Sequence, residues 1–288
     1  MNVLSLFDGM SCGQLAFQKL GIEFDGVKNK YFASEIKKHA IKVTQHNFPN
    51  TIQIGNVLDV KGSNLPQIDV LIGGSPCQDL SIANVERKGL SGSKSSLFWE
   101  YYRLLKEINP KYFLLENVDM PEEDTLTITN SLGVYPININ SSLVSAQTRN
   151  RWYWTNIEGD GINLFGEKIL SQPPYKKVEL KDIIINGYVD KEKARCLNTK
   201  AGANLGSIEV AWNRYTTTGM LNLVFLSEDL DYQKGIRGFE KVEMERLQTV
   251  PEGYTDILTR VQAGNLLGDG WTIDVIVHIL KGLTVDLL

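Results

Sequence analysis

The feature that most constrains the fold is an alternation of short apolar runs with amphipathic helical patterns through the first 156 residues. Strand patterns at Asn2–Phe7 and Tyr31–Glu35 are followed by helical patterns at Ser11–Leu20 and Ile36–Asn47. Later strand patterns are TIQI, VLIG, YFLLENV and RWYWTN, with a clear amphipathic helix at Ser95–Ile108. Strands that alternate with helices predict an α/β fold, a doubly wound and mostly parallel sheet.

This alternation stops after about Asn156. Residues 157–238 are rich in Gly, Asn and Thr and make a poor core sequence, and helical signals return from Glu240. We therefore predict one domain formed by residues 1–156 and 239–288, and a small irregular recognition domain at 157–238.

Composition limits the setting of the protein. At 288 residues and 42% hydrophobic content the chain can bury a full core. The N-terminal sequence lacks a charged leader, and no apolar run approaches the roughly 20 residues that span a bilayer, so neither a signal peptide nor a membrane segment is expected. Three scattered cysteines predict neither a disulfide framework nor a zinc site, and no metal site of another kind is predicted. An intracellular, reducing location follows.

The charge pattern leaves the class of partner open. A formal net charge of −4 argues mildly against nucleic acid, because DNA affinity comes largely from Lys and Arg. Between Lys176 and Lys200, however, seven Lys and Arg residues stand against four Asp and Glu. Such a run is either a solvated face or a contact surface.

Two acidic residues follow the first two predicted strands, where open α/β sheets bind their ligands. The loop Phe7–Gly13 is not a G-x-G-x-x-G fingerprint, and Asp8 would repel a pyrophosphate but suit an ammonium or sulfonium. Glu35 is placed to accept hydrogen bonds from ribose hydroxyls. Each acid alone could equally be a helix cap, but together they favour an adenosine cofactor without phosphates, such as S-adenosylmethionine.

Further reactive groups follow the later strands. Cys77 stands directly after Pro76 and is either a nucleophile with a lowered pKa or a small buried thiol. Glu116 closes an apolar run, where an unpaired acid is costly unless it has a function. Arg149 and Arg151 are two residues apart and are expected on one face of an extended segment. They would form an edge or surface pair, or donate to a base carbonyl or a phosphate.

Taken in order, these motifs resemble those of the DNA (cytosine-5) methyltransferases. The matching stretches are FDGMSCG, GGSPCQDLS, ENV, QTRNR and EMERLQTVPEGYTD. The catalytic domain of the eukaryotic de novo branch is similar in SPCQDLSIANVERKGL, LFWEYYRLL and LLGDGW. The resemblance implies a Rossmann-like S-adenosylmethionine-dependent methyltransferase fold, and it makes residues 157–238 a target-recognition domain.

The resemblance also implies a reaction. A cytosine is flipped out of duplex DNA, and a methyl group passes from S-adenosylmethionine to its C5, with S-adenosylhomocysteine as product. Cys77 would attack C6 and form a covalent adduct, while Glu116 protonates N3. Arg151 would contact the cytosine O2, with Arg149 steadying the same site and Asn117 supporting the pocket.

The remaining residues that the resemblance implies are those of the two binding surfaces. Those assigned to the cofactor are Phe7, Asp8, Gly9, Ser11, Glu35, Ile36, Asn56, Val57, Pro76, Asp269 and Trp271. Those assigned to DNA are Arg87, Lys88 and Lys94 in a loop after Cys77, and Lys193, Arg195, Lys200 and Arg214 in the recognition region. Two positions depart from the family: Asn56 stands where an Asp is usual, and Asp269 where relatives have Asn or Arg.

Three alternatives remain open. An RNA cytosine methyltransferase would share the architecture, but SPCQDLS favours DNA. An inactive regulatory relative would have no reason to keep Cys77, Glu116 and Arg151 together. A nicotinamide-dependent oxidoreductase lacks its glycine fingerprint here. The recognised sequence, the biological role (restriction partner, orphan enzyme or genome protection) and the oligomeric state are not predicted.

Overall fold

The structure is a computed structural model that describes residues 1–76, 97–162, 166, 168–200, 205–219 and 221–283. The chain forms two compact units. The first unit contains Met1–Ile139, Asn150–Gln172 and Val277–Leu288, and the second contains Asn140–Arg149 and Pro173–Ile276. Residues 239–276 thus belong to the second unit, so a functional division at residues 157 and 238 stays a prediction.

The strands and helices follow one another in the predicted alternating order. The strands are β1 Asn2–Leu6, β2 Lys30–Ser34, β3 Ile52–Gln53, β4 Val70–Gly74, β5 Tyr112–Asn117, β6 Ile137–Asn140, β7 Gln147–Thr148, β8 Asn150–Thr155, β9 Gly161–Ile162, β10 Lys168–Ile169, β11 Ala194–Arg195, β12 Val224–Phe225 and β13 Ile236–Arg237. The helices are α1 Cys12–Lys19, α2 Lys38–Asn47, α3 Leu97–Ile108, α4 Glu122–Leu132, α5 Leu180–Ile183, α6 Ile208–Thr217, α7 Lys241–Leu247, α8 Arg260–Asp269 and α9 Ile273–Leu280.

A seven-stranded sheet organises the first unit, in the order β3-β2-β1-β4-β5-β8-β6. The pairs β1–β2, β1–β4, β2–β3 and β4–β5 are parallel, and β8 runs antiparallel to β5. This mostly parallel sheet with intervening helices confirms the predicted α/β class. Because four neighbouring strands run the same way, the residues that follow β1, β2, β4 and β5 lie at one edge of the sheet.

Close packing at two glycines sets the spacing of this sheet. A Cβ on Gly13 of α1 would lie 2.3 Å from Ile72 Cδ1, and one on Gly73 of β4 would lie 2.9 Å from the Leu6 carbonyl. Strand, helix and neighbouring strand therefore approach more closely than any side chain would allow. The glycine of the first motif serves helix–strand packing, and Gly73 serves the close approach of the β4 and β1 backbones.

The second unit has short elements and a buried polar network. Gln248 donates to the Leu267 carbonyl at 2.6 Å and accepts from Thr272 Oγ1 at 2.9 Å. Gln147 donates to the Leu247 carbonyl and to Gln248. A small apolar cluster of Ala211, Tyr215 and Leu223 lies around α6. The helix α6 was not predicted, since its stretch was read as irregular.

Candidate active site

The loop after β1 is held in an unusual backbone conformation. Phe7, Gly9 and Ser11 have φ values of 56°, 60° and 59°. Left-handed conformations at non-glycine residues cost free energy and persist where the surrounding contacts enforce them. Here the Asp8 amide donates to the Ser34 carbonyl at 3.1 Å, which fixes the loop against β2.

Asp8 is the buried acid of this loop. It is 8% exposed, and its carboxylate accepts from Ser11 Oγ at 2.5 Å and from the Tyr31 hydroxyl at 2.8 Å. Burial raises the pKa of Asp8 to about 6, against hydrogen bonds from Ser11, Ser5 and Tyr31 that lower it. An acid held above its usual pKa would gain from a nearby cation, which fits the predicted ammonium or sulfonium ligand.

Glu35 joins two loops at the same edge of the sheet. One carboxylate oxygen accepts from the Gly9 amide at 2.8 Å, and the other accepts from the amides of Ile36 and Lys37 at 2.7 and 2.8 Å. A carboxylate offers about four acceptor positions, so one remains for a ribose hydroxyl. Glu35 therefore caps its own loop and can still bind a sugar, which combines the two roles considered from sequence.

Exposed apolar side chains follow the adjacent strands β2 and β3. Ile36, the residue after Glu35, is 67% exposed, and Leu58, in the short helical turn after β3, is 59% exposed. Asn56 Oδ1 accepts from the Leu58 amide at 3.2 Å, and Val57 is buried. Exposed large apolar residues suit an aromatic base. Asn56 caps a turn, so its oxygen already has one donor before any cofactor is bound.

The described chain reaches Pro76 at the end of β4. Gly74 pairs with Glu116 in the sheet, and Ser75 Oγ accepts from Asn117 Nδ2 at 3.1 Å. Cys77, the predicted nucleophile, lies outside the described residues, as do Arg87, Lys88 and Lys94. Asn117 is buried and also caps the Val118 amide at 2.8 Å, so it joins the ends of β4 and β5.

Glu116 and Arg151 meet across the antiparallel strands β5 and β8. Arg151 Nε lies 2.9 Å from Glu116 Oε1, and the two side chains are 15% and 11% exposed. The structure thus brings together two of the predicted catalytic residues, at the sheet edge that carries Asp8, Glu35 and Pro76. An acid and a guanidinium so placed can donate to adjacent atoms of one ring.

Arg149 has other partners. It lies between β7 and β8, is 3% exposed, and donates to the carbonyls of Leu197, Gly268 and Gly270 at 3.1, 3.3 and 2.8 Å. The strand is therefore interrupted at Arg149, which corrects the prediction that the two arginines act as a pair on one face. Its charge stabilises the carbonyls at the end of α8.

The last two residues predicted to bind the cofactor lie at the C-terminal end of α8 and just beyond it. Asp269 is the final residue of α8 and is exposed, and Trp271 is 9% exposed. Gly268 permits the tight junction, since a Cβ there would lie 2.1 Å from the Asn198 carbonyl. Whether Asp269 and Trp271 contact a cofactor stays a prediction.

Four cationic residues are predicted to bind DNA in the recognition region. Two of them, Lys193 and Arg195, donate to backbone carbonyls, whereas Lys200 and Arg214 are exposed. Lys193 Nζ donates to the carbonyls of Ser142, Ser145 and Val178 at 2.9, 2.9 and 2.7 Å. Desolvation lowers the pKa of Lys193.

All three protons of the Lys193 ammonium group are therefore used, which argues against a DNA contact. Arg195 donates to the carbonyls of Tyr215 and Leu221 at 3.1 Å each and lies over the Tyr215 ring. Lys200 and Arg214 are exposed.

The described part of the chain holds neither a metal-binding cluster nor a membrane-spanning helix. It contains no group of three or more His, Cys, Asp and Glu residues that could hold a metal ion. No helix within it has the length and apolar character needed to cross a membrane.

Solved structures share this fold. The Dnmt2 methyltransferase of S. pombe superposes with a TM-score of 0.69 at 16% identity, covering 100% of both chains. A Spodoptera frugiperda DNMT2 mutant gives a TM-score of 0.68 at 18% identity, covering 98% of this chain and 99% of that one. These likenesses show that the chain has the fold of the Dnmt2 methyltransferases.

Sequence comparison identifies the family. The model of the C-5 cytosine-specific DNA methylases matches residues 1–284. The chain belongs to this family, which confirms the resemblance found in its motifs; the eukaryotic de novo branch stays a prediction.

Individual relatives match to different extents. The type II methyltransferase M1.ScrFI of Lactococcus lactis subsp. cremoris is 26% identical over 100% of this chain and 78% of its own length. The orphan methyltransferase M.Rho11sI of Bacillus phage rho11s is 39% identical over 41% of this chain. That match spans about a quarter of the phage protein, 23% of its length.

Proposed function

We propose that the protein transfers a methyl group from S-adenosylmethionine to C5 of a flipped cytosine in duplex DNA, with Cys77 as the nucleophile. The Glu116–Arg151 ion pair carries this proposal, because it lies one strand away from β4, whose chain continues into Cys77. Membership of the cytosine-5 methylase family over residues 1–284 supports the same chemistry.

The chain's residues divide the reaction between them. The Cys77 thiolate attacks C6 of the ring, and Glu116 donates a proton to N3, so that negative charge does not build up on the base. Arg151 donates to O2 and orients the ring for attack. C5 would then take the methyl group as the bond from that methyl to the sulfonium sulfur breaks. A base removes the C5 proton, elimination breaks the bond between Cys77 and C6, and the N3 proton returns to Glu116, which restores both the thiolate and the acid.

The cofactor supplies the electrophilic methyl group and leaves as S-adenosylhomocysteine. The loop with Gly9 and the acids Asp8 and Glu35 would hold its ammonium and ribose, and the exposed Ile36 would cover its adenine. This assignment fits the donor set, since Asp8 and Glu35 follow β1 and β2 at the sheet edge used by ligands of open α/β folds. Phe7, Asn56, Val57 and Pro76 complete the proposed site.

Duplex DNA is the proposed substrate, and residues 157–238 the proposed recognition region. Among the described residues of that region, exposed Lys200 and Arg214 are the candidates for phosphate or base contacts. Lys193 and Arg195 are assigned to holding the region together. An intracellular location belongs to the same proposal.

The test is methyl transfer from labelled S-adenosylmethionine to duplex DNA, followed by bisulfite mapping of the product. Label at cytosine C5 in duplex DNA supports the proposal. If label enters structured RNA but no duplex DNA, RNA is the substrate and the proposal of duplex DNA is wrong. A chain that binds S-adenosylhomocysteine but transfers to neither would favour the inactive regulatory reading.

A further inference from the structure

Arg103 of α3 holds the loop that follows β3, and no role is predicted for this residue from the sequence. Arg103 Nη2 donates to the Val60 carbonyl at 2.9 Å and lies 3.4 Å from the Val57 carbonyl. Glu100 and Glu107 flank the same guanidinium at 2.8 and 2.7 Å. The two carboxylates fix the plane of the guanidinium, and its remaining donor fixes the loop.

A second contact from the same helix holds the next part of the loop. Glu107 Oε2 accepts from the Gly62 amide at 2.8 Å, and this hydrogen bond, with that from Arg103, lowers the pKa of Glu107. A Cβ on Gly62 would lie 2.9 Å from Glu107 Cβ, so the backbone rests directly on the helix. Residues 57–62 are therefore tied to α3 at three points.

The strand before the loop offers little constraint of its own. β3 has two residues, Ile52 and Gln53, and its contacts with β2 end where the Ile54 amide donates to the Ala33 carbonyl at 2.9 Å and the Ser34 hydroxyl donates to the Gly55 carbonyl at 2.8 Å. Asn56 and Val57, the residues proposed at the adenine, come after the last of these contacts, at the start of the tied segment. Their placement therefore depends on the helix contacts as well as on the sheet.

We infer that Arg103 is a positioning residue that sets the adenine end of the cofactor site by holding the Val57 and Val60 carbonyls. The inference rests on the proposed function, since it concerns the same cofactor. Arg103 does not touch the cofactor and acts through Asn56 and Val57. Its side chain is 33% exposed, and ion pairs this exposed contribute little to stability, so R103Q should remain folded.

The experiment compares R103Q with R103K and with R246Q as matched control. Arg246 has similar exposure, 28%, and also joins a carboxylate to a backbone carbonyl, those of Glu252 and Ile183, but in a different part of the chain. Calorimetric Kd values are measured for S-adenosylhomocysteine and for 5′-methylthioadenosine, which keeps the adenine and ribose. With R103Q both Kd values should rise by about fivefold to twentyfold.

Turnover separates positioning from a general loss of structure. In R103Q the KM for S-adenosylmethionine should rise while kcat stays within about twofold, and R103K should recover part of the affinity because it keeps one donor. R246Q should leave both Kd values unchanged. E107A should weaken binding too, with a less than additive effect when combined with R103Q, because both side chains hold one loop.

Two failures have different meanings. R103Q with the affinity of the unsubstituted protein for both ligands, or effects of R103Q and E107A that add fully, would overturn the inference. An unsubstituted protein that binds neither ligand would overturn the proposed function instead.

Discussion

Arg151 and Glu116 form an ion pair, with Arg151 Nε 2.9 Å from Glu116 Oε1, across two strands that run in opposite directions. The pair aligns an acid and a cation before any substrate is present. Removal of one partner leaves the other charged group without its counterion in a site that is largely shielded from water.

The first prediction concerns this pair. E116Q should lower kcat by about 10²- to 10⁴-fold, because glutamine cannot give a proton to N3. R151Q should also lower kcat, since the donor to O2 is lost. Both variants should bind S-adenosylhomocysteine with an unchanged Kd, because neither side chain belongs to the proposed cofactor site. A large change in that Kd together with normal kcat would contradict the assignment.

A second prediction separates the two arginines. R149M should lower the free energy of unfolding by about 2–4 kcal/mol, because the carbonyls of Leu197, Gly268 and Gly270 lose their charged donor. The donors that remain to Leu197 and Gly270 are the Cys196 thiol at 3.3 Å and Gln248 Nε2 at 3.4 Å, which are long contacts. R151M should change stability less, because it removes one ion pair, whereas R149M removes the donor to three backbone carbonyls. Thermal unfolding of the two variants side by side provides the measurement. Equal midpoints would show that Arg149 contributes no more to stability than Arg151 does, which would contradict this prediction.

The contrast between these arginines shows where sequence reasoning succeeds and where it stops. Strand ends follow from apolar periodicity, so Asp8, Glu35 and Glu116 were correctly expected at one edge of the sheet. The strand break at Arg149 leaves no mark on that periodicity. Its acceptors are backbone carbonyls of Leu197 and Gly270, which a side-chain pattern cannot reveal.

Arg103 was missed for the same reason. Its helix was predicted from its amphipathic pattern, but its acceptors in the loop lie 43 and 46 residues away and are also carbonyl groups. The helix α6 was missed because β-branched and polar residues conceal its period.

The third prediction concerns pH and Asp8. Between its ordinary pKa of 3.8 and its folded value of about 6, the folded state binds more protons than the unfolded state. Stability therefore falls as pH rises through this window and remains lower above it. D8N should raise the free energy of unfolding at pH 7.5 by about 2–3 kcal/mol, and by roughly half as much at pH 5.

Asp25 provides the control of opposite sign. Hydrogen bonds from the amides of Asn29 and Val27 lower the pKa of Asp25, so its ionised form stabilises the protein. D25N should therefore lower stability equally at pH 7.5 and pH 5, and the difference should shrink only as pH falls below the ordinary pKa of 3.8. Stabilisation by D8N that is equal at both pH values would mean that burial of the charge is not its cause.

The fourth prediction distinguishes structural from DNA-binding cations. R214Q should weaken duplex binding and reduce the slope of log K against log salt by about one. K193Q should leave that slope unchanged and lower the thermal midpoint, because three carbonyls lose their donor. Titrations of both variants at several salt concentrations provide the measurement. An altered slope for K193Q and none for R214Q would reverse the two assignments.

The central claim is that Cys77 is the nucleophile. A duplex with 5-fluorocytosine at the target position lacks the C5 proton whose loss releases the enzyme, so the adduct should accumulate after methyl transfer. With S-adenosylmethionine present, the unsubstituted protein should form a covalent complex that survives denaturing electrophoresis, and C77S should form none. A covalent complex of undiminished yield with C77S would contradict the claim.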